Sequence, residues 1–289
     1  MEIVPGGIGL ALGGGGVRGL AHVLVLEALE DLGCKPSIIA GTSMGSVVGA
    51  LYASGMSGRE IKERIREHTI SKNDTWRTLL DKKTELLKWV EIFAPEWGRG
   101  GLIKADRFLR YLFGEIRKTR FEELEIPLIV VAANFWEASE VVFEEGELLP
   151  AIKASIAVPG VFAPVSFGDR VLVDGGVVNQ VPYDHIIDRC GLTIAVDVGR
   201  TRVPGKSEVP SVLESILGTF DIMQTAALAQ KMKHRKPDIY VRAEICDVGM
   251  LHFHKVEEVF NQAEPAIEML KLQLSQLKKN FRKPFSTED

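Results

Sequence analysis

Short runs of consecutive apolar residues alternate along this chain with stretches whose apolar positions return every three or four residues. Ile8 to Leu12, Ser37 to Ala40, Leu128 to Asn134 and Leu192 to Val198 read as buried strands, with Arg170 to Val173 and Ile239 to Ala243 as further strands. Between them, Val17 to Leu32 carries Leu20, Leu24, Ala28 and Leu32 on one face, and Gly33 supplies a stop. Met44 to Ala53 is a helix rich in small residues. Ser57 followed by Glu60 is a capping box that opens a helix through Glu67. Ala105 to Ile116, Leu149 to Ile156, Val212 to His234 and Val256 to Leu277 complete the helices, the last despite Pro265. Val141 to Glu144 is expected to pair in a hairpin.

Strands alternating with helices predict an α/β fold, a three-layer α/β/α sandwich around a largely parallel central sheet. A single domain over 1–289 is expected, with a motif-bearing core at about 8–200 and a C-terminal part, 205–289, that carries no motif. Residues 72–104 stand apart. Trp76, Leu79, Leu80, Leu86, Leu87, Val90 and Phe93 share a helical face beside Arg77, Lys82, Lys83 and Lys88, before Pro95 and Gly98 to Gly101. That stripe is either core packing or a lid lying at a lipid interface.

Composition narrows the class. A net charge of −4 excludes a dedicated nucleic-acid binder, and the longest apolar run, Ile126 to Phe135, falls short of the roughly 20 residues of a membrane-spanning helix. No cationic segment precedes an apolar run at the N-terminus, so a cytoplasmic protein is expected, meeting any membrane only from its surface. Cys34, Cys190 and Cys246 have neither CxxC nor metal spacing and read as free thiols. No metal or cofactor is expected.

Three glycine-rich turns carry the candidate chemistry. Gly41-Thr42-Ser43-Met44-Gly45 is a G-x-S-x-G sequence between a predicted strand and a predicted helix. That context suits a nucleophile on a strained turn, where Gly41 and Gly45 remove obstructing side chains. Gly14-Gly15-Gly16-Val17-Arg18-Gly19 follows the first strand and fits either a dinucleotide loop or an oxyanion hole. A dinucleotide loop calls for an acidic residue at the end of the second strand; that strand ends instead at Gly41-Thr42-Ser43, which favours acyl transfer. Asp174-Gly175-Gly176 ends another strand and is the candidate base, although Asp-Gly alone is an ordinary turn.

Taken in order, G-G-G-x-R-G, G-T-S-x-G-S and D-G-G-x-x-x-N-x-P (with Asn179 and Pro182) resemble the patatin-like phospholipases, especially bacterial stand-alone members and the catalytic region of neuropathy target esterase. Ala154-Ser155, Pro159 and Phe162 resemble that family's A-S-x-x-x-P-x-x-F segment.

The resemblance implies a serine acyl hydrolase of phospholipids or lysophospholipids. Ser43 would be the nucleophile and Asp174 the general base of a dyad, with the N–H groups of Gly14, Gly15 and Gly16 as oxyanion hole. Arg18, Gly19, Gly41, Gly45, Gly175 and Gly176 would support the motifs. An exposed carboxylate is a weak base for a hydroxyl, so the dyad needs a dry pocket that raises Asp174. A general carboxylesterase or thioesterase, and an idle lipid-binding module, are the alternatives.

The rival mechanism is a triad, since His252 and His254 follow Asp174 in α/β-hydrolase order. Arg18 is open to two roles, pairing with a lipid phosphate or supporting the glycine loop through local hydrogen bonds. His22 reads as a packing residue, and the basic-aromatic segment Lys278 to Phe285 as a frayed terminus with weak attraction for anionic lipid.

Overall fold

The computed structural model describes residues 6–68, 105, 108–109, 118–202 and 209–282. Five parallel strands form the centre of the sheet: β1 (Ile8–Leu12), β2 (Pro36–Thr42), β3 (Leu128–Asn134), β7 (Leu192–Asp197) and β9 (Ile239–Arg242). On one side β3 meets the antiparallel strands β4 (Ser139–Phe143) and β6 (Arg170–Asp174), and β5 (Val165–Phe167) closes that edge. Spatial order runs β5-β6-β3-β2-β1-β7-β9, so the first strand of the chain lies well inside the sheet. Two further short strands, β8 (Arg200–Thr201) and β10 (Ile245–Cys246), pair with each other.

Why the central strands are apolar on both faces follows from their alternation. Leu10, Leu12, Ile39, Val130, Ile194 and Val196 point into one core. Ala11, Ile38, Ala40, Ile129, Val131 and Ala195 point into the other. The first core is covered by α1 (His22–Asp31), α2 (Met44–Ala53), α3 (Gly58–His68) and α6 (Val256–Arg282). The second is covered by Leu228 of α5 (Val212–His234) and by Val181, Tyr183 and Ile186. Helix α4 (Leu148–Ser155) packs at the β3–β6 side. These are the three layers that the alternation of strands and helices predicts.

Several boundaries match the sequence reading residue for residue, among them α2, β3 and α5. The capping box forms as expected, with the Ser57 N–H donating to Glu60 Oε2 and the Glu60 N–H donating to Ser57 Oγ. Other boundaries need correction. The helix expected from Val17 opens instead as a tight 3₁₀ stretch, Gly16–Ala21, and becomes α-helical only at His22. Gly16 takes φ +58° and the Val17 N–H is drawn to the Met250 carbonyl, which tightens that first turn. At the other end α6 runs on past Leu277 to Arg282, and the Lys278 ammonium bonds the Leu32 carbonyl, so this part of the tail is docked rather than frayed.

Among the described residues, no helix is long and apolar enough to cross a membrane. The apolar stripe over 72–104 expected as lid or core lies outside the described residues, as does most of the helix expected over Ala105 to Ile116.

Candidate active site

Sheet register brings the three glycine-rich turns together. Leu12 pairs with Gly41 and with Val196, Thr42 pairs with Val131, and Ala132 pairs with Asp174. The turns leaving β1 and β2 are therefore neighbours, and Asp174 sits two strands from Thr42, across β3, at nearly the same level. Such a crevice at the carboxyl ends of parallel strands is where open α/β sheets place their ligands.

Ser43 occupies the turn between β2 and α2 with φ +52° and ψ −124°, a conformation that a side chain adopts only under strain. Close packing makes the turn this sharp: a Cβ on Gly41 would lie 2.6 Å from the Ser46 Cα, and one on Gly45 would overlap the Leu12 carbonyl. Gly19 is needed for the same reason, since a Cβ there would meet Met44 at 2.6 Å. The turn is fixed from outside by Ser155, whose Oγ accepts the Ser43 N–H at 2.8 Å.

Asp174 is buried, 1% exposed, and its Oδ1 accepts the Gly176 N–H at 2.7 Å. Gly175 packs so closely on β3 that a Cβ would overlap the Val131 carbonyl. Burial pushes the carboxyl up to about 7, while the Ser43 hydroxyl and the Gly176 N–H draw it the other way. The hydroxyl is thus near enough to act on the carboxyl, yet Oδ2 has no aligned hydrogen-bond partner. Loose contacts of this kind are common in sites without substrate. One short segment serves both residues, because the Asp174 N–H donates to the Ala157 carbonyl just beyond Ser155. Asn179 ties the third turn to the second: its carbonyl accepts the Thr42 hydroxyl at 2.8 Å, and its Oδ1 accepts Lys231.

The start of the glycine loop is held by hydrogen bonds at Gly13 and Gly14. The Gly13 N–H donates to the Val196 carbonyl, and the Gly13 carbonyl accepts His22 Nε2 at 2.7 Å. Burial pushes the His22 pKa down to about 4, so the ring is neutral with its proton on Nε2. His22 therefore braces the loop as well as packing beneath it. The Gly14 N–H donates to the Gln180 carbonyl at 3.0 Å, which corrects the expectation that Gly14 supplies an oxyanion donor. A donor already bonded to backbone is not available to a substrate. Among the described residues, the N–H groups of Gly15 and Gly16 have no partner. A Cβ on Gly15 would crowd Val198 at 2.9 Å, and one on Gly16 would overlap Met250.

Arg18 is fully buried and its guanidinium is spent. Nε donates to the Val198 carbonyl at 3.2 Å, one terminal nitrogen to the Val248 carbonyl at 3.1 Å, and the other to Asp221 Oδ1 at 2.7 Å. Desolvation lowers its pKa and Asp221 opposes that shift. The lipid-phosphate role is thereby overturned, and the support Arg18 gives the glycine loop is not local as expected: its guanidinium ties the loop to Val198, Val248 and α5. Asp221 and Gln224, one turn apart on α5, were missed by the sequence reading. Gln224 lies against Gly176, leaving no room for a Cβ there, and its Oε1 has no partner.

A slot of about 20 Å³ opens at Ser43 between Gly16, Met44, Phe108, Val158, Phe162 and Met250. It is lined by apolar side chains apart from Ser43 itself. His252 and His254 are exposed, their rings 5.5 Å apart, and neither lines the slot.

With fold and geometry in place, comparison with known proteins defines the class. The patatin-like phospholipase family model matches residues 10–187. An uncharacterized NTE family protein of Mycobacterium tuberculosis is 34% identical over 223 residues, covering 76% of this chain and 57% of its own. Lysophospholipase NTE1 of Kluyveromyces lactis is 28% identical over 277 residues, covering 88% of this chain and 18% of its own. Among solved structures, VipD from Legionella pneumophila is similar over 91% of this chain and 66% of that one, at a TM-score of 0.47 and 13% identity. The chain belongs to the patatin-like phospholipase family. It spans less than two thirds of the length of the two sequence relatives named.

Proposed function

We propose that this protein is a lipid acyl hydrolase in which Ser43 is the nucleophile and Asp174 the general base, acting on phospholipids or lysophospholipids. The observation that carries the reading is the pairing of a serine on a strained turn with a buried carboxyl raised to about 7. A base poised near neutrality can take the hydroxyl proton without a histidine.

In the first half-reaction Ser43 Oγ attacks the ester carbonyl carbon while its proton passes to Asp174. The negative oxygen is held by the N–H groups of Gly15 and Gly16, with the N-terminal end of α2 adding favourable potential. Collapse expels the alcohol, which takes the proton from Asp174, and leaves the acyl group on Ser43. Water then attacks the acyl-enzyme, giving its proton to Asp174, which passes it on to Ser43 Oγ as the C–O bond to serine breaks and the fatty acid is freed. The lysophospholipase name of the yeast relative supports a lipid ester as substrate.

The test is covalent labelling with an alkyl fluorophosphonate, together with release of fatty acid from lysophosphatidylcholine. The expected result is one adduct on Ser43, lost in Ser43→Ala, and turnover lost in both Ser43→Ala and Asp174→Ala. An unlabelled serine would leave the idle lipid-binding module as the better description.

A further inference from the structure

Helix α5 lies beyond the segment matched by the family model, yet it is built into the site. Its buried stripe, Asp221, Gln224 and Leu228, faces inward, with Asp221 on Arg18 and Gln224 against Gly176. These contacts fix the position of the helix relative to both the glycine loop and Asp174.

The neighbouring flank of α5 is apolar and open. Ile216, Leu217, Phe220 and Met223 form one wall of a groove of about 410 Å³, and Val158 and Pro159 form the other. Among the described residues, no charged side chain lines it. Ile216 is 53% and Met223 58% exposed, an arrangement that is unfavourable in water without an apolar occupant. The decisive feature is adjacency: Val158 lines both this groove and the slot at Ser43. The slot alone has room for about one water, so a chain attached at Ser43 must leave it along an adjoining surface.

We propose that the groove between Val158-Pro159 and α5 binds the single hydrocarbon chain of the acyl group carried by Ser43, and so measures chain length. The inference rests on the acyl-hydrolase reading above. It assigns the lipid tail, rather than the head group, to a groove of which one wall, α5, carries no recognised motif.

The experiment uses the full chain, wild type and Met223→Asp, with Ile216→Trp as a second variant that fills the groove by bulk. Both positions are exposed on a helix surface, and circular dichroism with thermal melts establishes that the variants are folded. Binding of octanoate, decanoate, laurate and myristate is measured by calorimetry below their micelle concentrations. In the wild type affinity is expected to rise by up to about fourfold per added methylene. In both variants that rise flattens for the longer acids. In parallel, the ratio of kcat/KM for a myristoyl ester over a butyryl ester is expected to fall about tenfold in each variant. An unchanged slope and an unchanged ratio, or equal losses on both esters, overturn the groove assignment. If the wild type lacks turnover and fluorophosphonate labelling but binds the acids with a slope that Met223→Asp removes, the catalytic reading fails and the groove stands.

Discussion

Ser155 Oγ accepts the backbone N–H of Ser43 at 2.8 Å, so the candidate nucleophile is held in its strained turn by a side chain from α4. Two residues further on, the Ala157 carbonyl accepts the Asp174 N–H at 3.0 Å. The segment 155–157 therefore sets the spacing between serine and carboxyl. Ser155→Ala removes the acceptor and leaves a buried N–H unpaired, at a cost of about 1–3 kcal/mol. We expect a lower Tm and a kcat reduced about tenfold or more, with substrate KM changed much less. A variant whose kcat matches wild type would show that Ser43 holds its conformation without this contact.

The Asp174 carboxyl gives two linked pH effects. Its folded-state pKa of about 7 lies above the ordinary 3.8. Because the deprotonated form is the base, kcat/KM should rise with pH and reach half its plateau near 7. Stability runs the opposite way. Between the two values the folded protein retains a proton that the unfolded chain has released, so stability falls as pH rises through this window. Asp174→Asn escapes that loss, which amounts to at most about 4 kcal/mol. The Tm advantage of Asp174→Asn over wild type should accordingly be larger near pH 8 than near pH 5. A difference in Tm that does not change with pH would remove the raised pKa from the account.

Arg18 and Asp221 form a buried ion pair, with side-chain exposures of 0% and 8%. Taking away one partner leaves a charge without compensation in a dry environment, which costs about 3–5 kcal/mol. Asp221→Ala should therefore lower the urea midpoint strongly and slow turnover, because the glycine loop loses its anchor to α5. Arg18→Met combined with Asp221→Ala should recover a good part of the stability while leaving turnover low. Additive losses in the double variant would mean that the two residues act independently.

The contrast between what local pattern revealed and what it hid is clearest on α5. Its limits, Val212 and His234, are legible because helix periodicity is a local feature. The inward direction of Asp221 and Gln224 is not, since it depends on partners near Gly15 and Gly176 that the chain reaches only by folding. A usable signal did exist. Leu217, Asp221, Gln224 and Leu228 follow a core-facing spacing, and polar residues on such a stripe call for buried partners. The sheet was readable for the complementary reason: parallel strands covered on both faces become continuous apolar runs, as in Leu128 to Asn134. The same limit explains Gly14. Its glycine identity is visible in the sequence, but the Gln180 carbonyl that takes its N–H is a long-range neighbour. The three-residue β5 and the two-residue β8 and β10 were too short to leave a period at all.

Histidine offers the sharpest test of the dyad against a triad. His252 and His254 are the histidines named for the rival α/β-hydrolase triad. Both side chains face outward, and His252 Nδ1 accepts the Gly249 N–H rather than a carboxylate. Burial, His254 and Lys255 push the His252 pKa down, and no histidine is among the groups that shift Asp174. Replacing both with alanine should keep esterase turnover within about tenfold of wild type, because neither ring has a proton to move at Ser43. Loss of a true triad histidine costs several orders of magnitude, comparable to loss of the nucleophile. A collapse to the level of Ser43→Ala in the double variant would transfer the role of base from Asp174 to histidine.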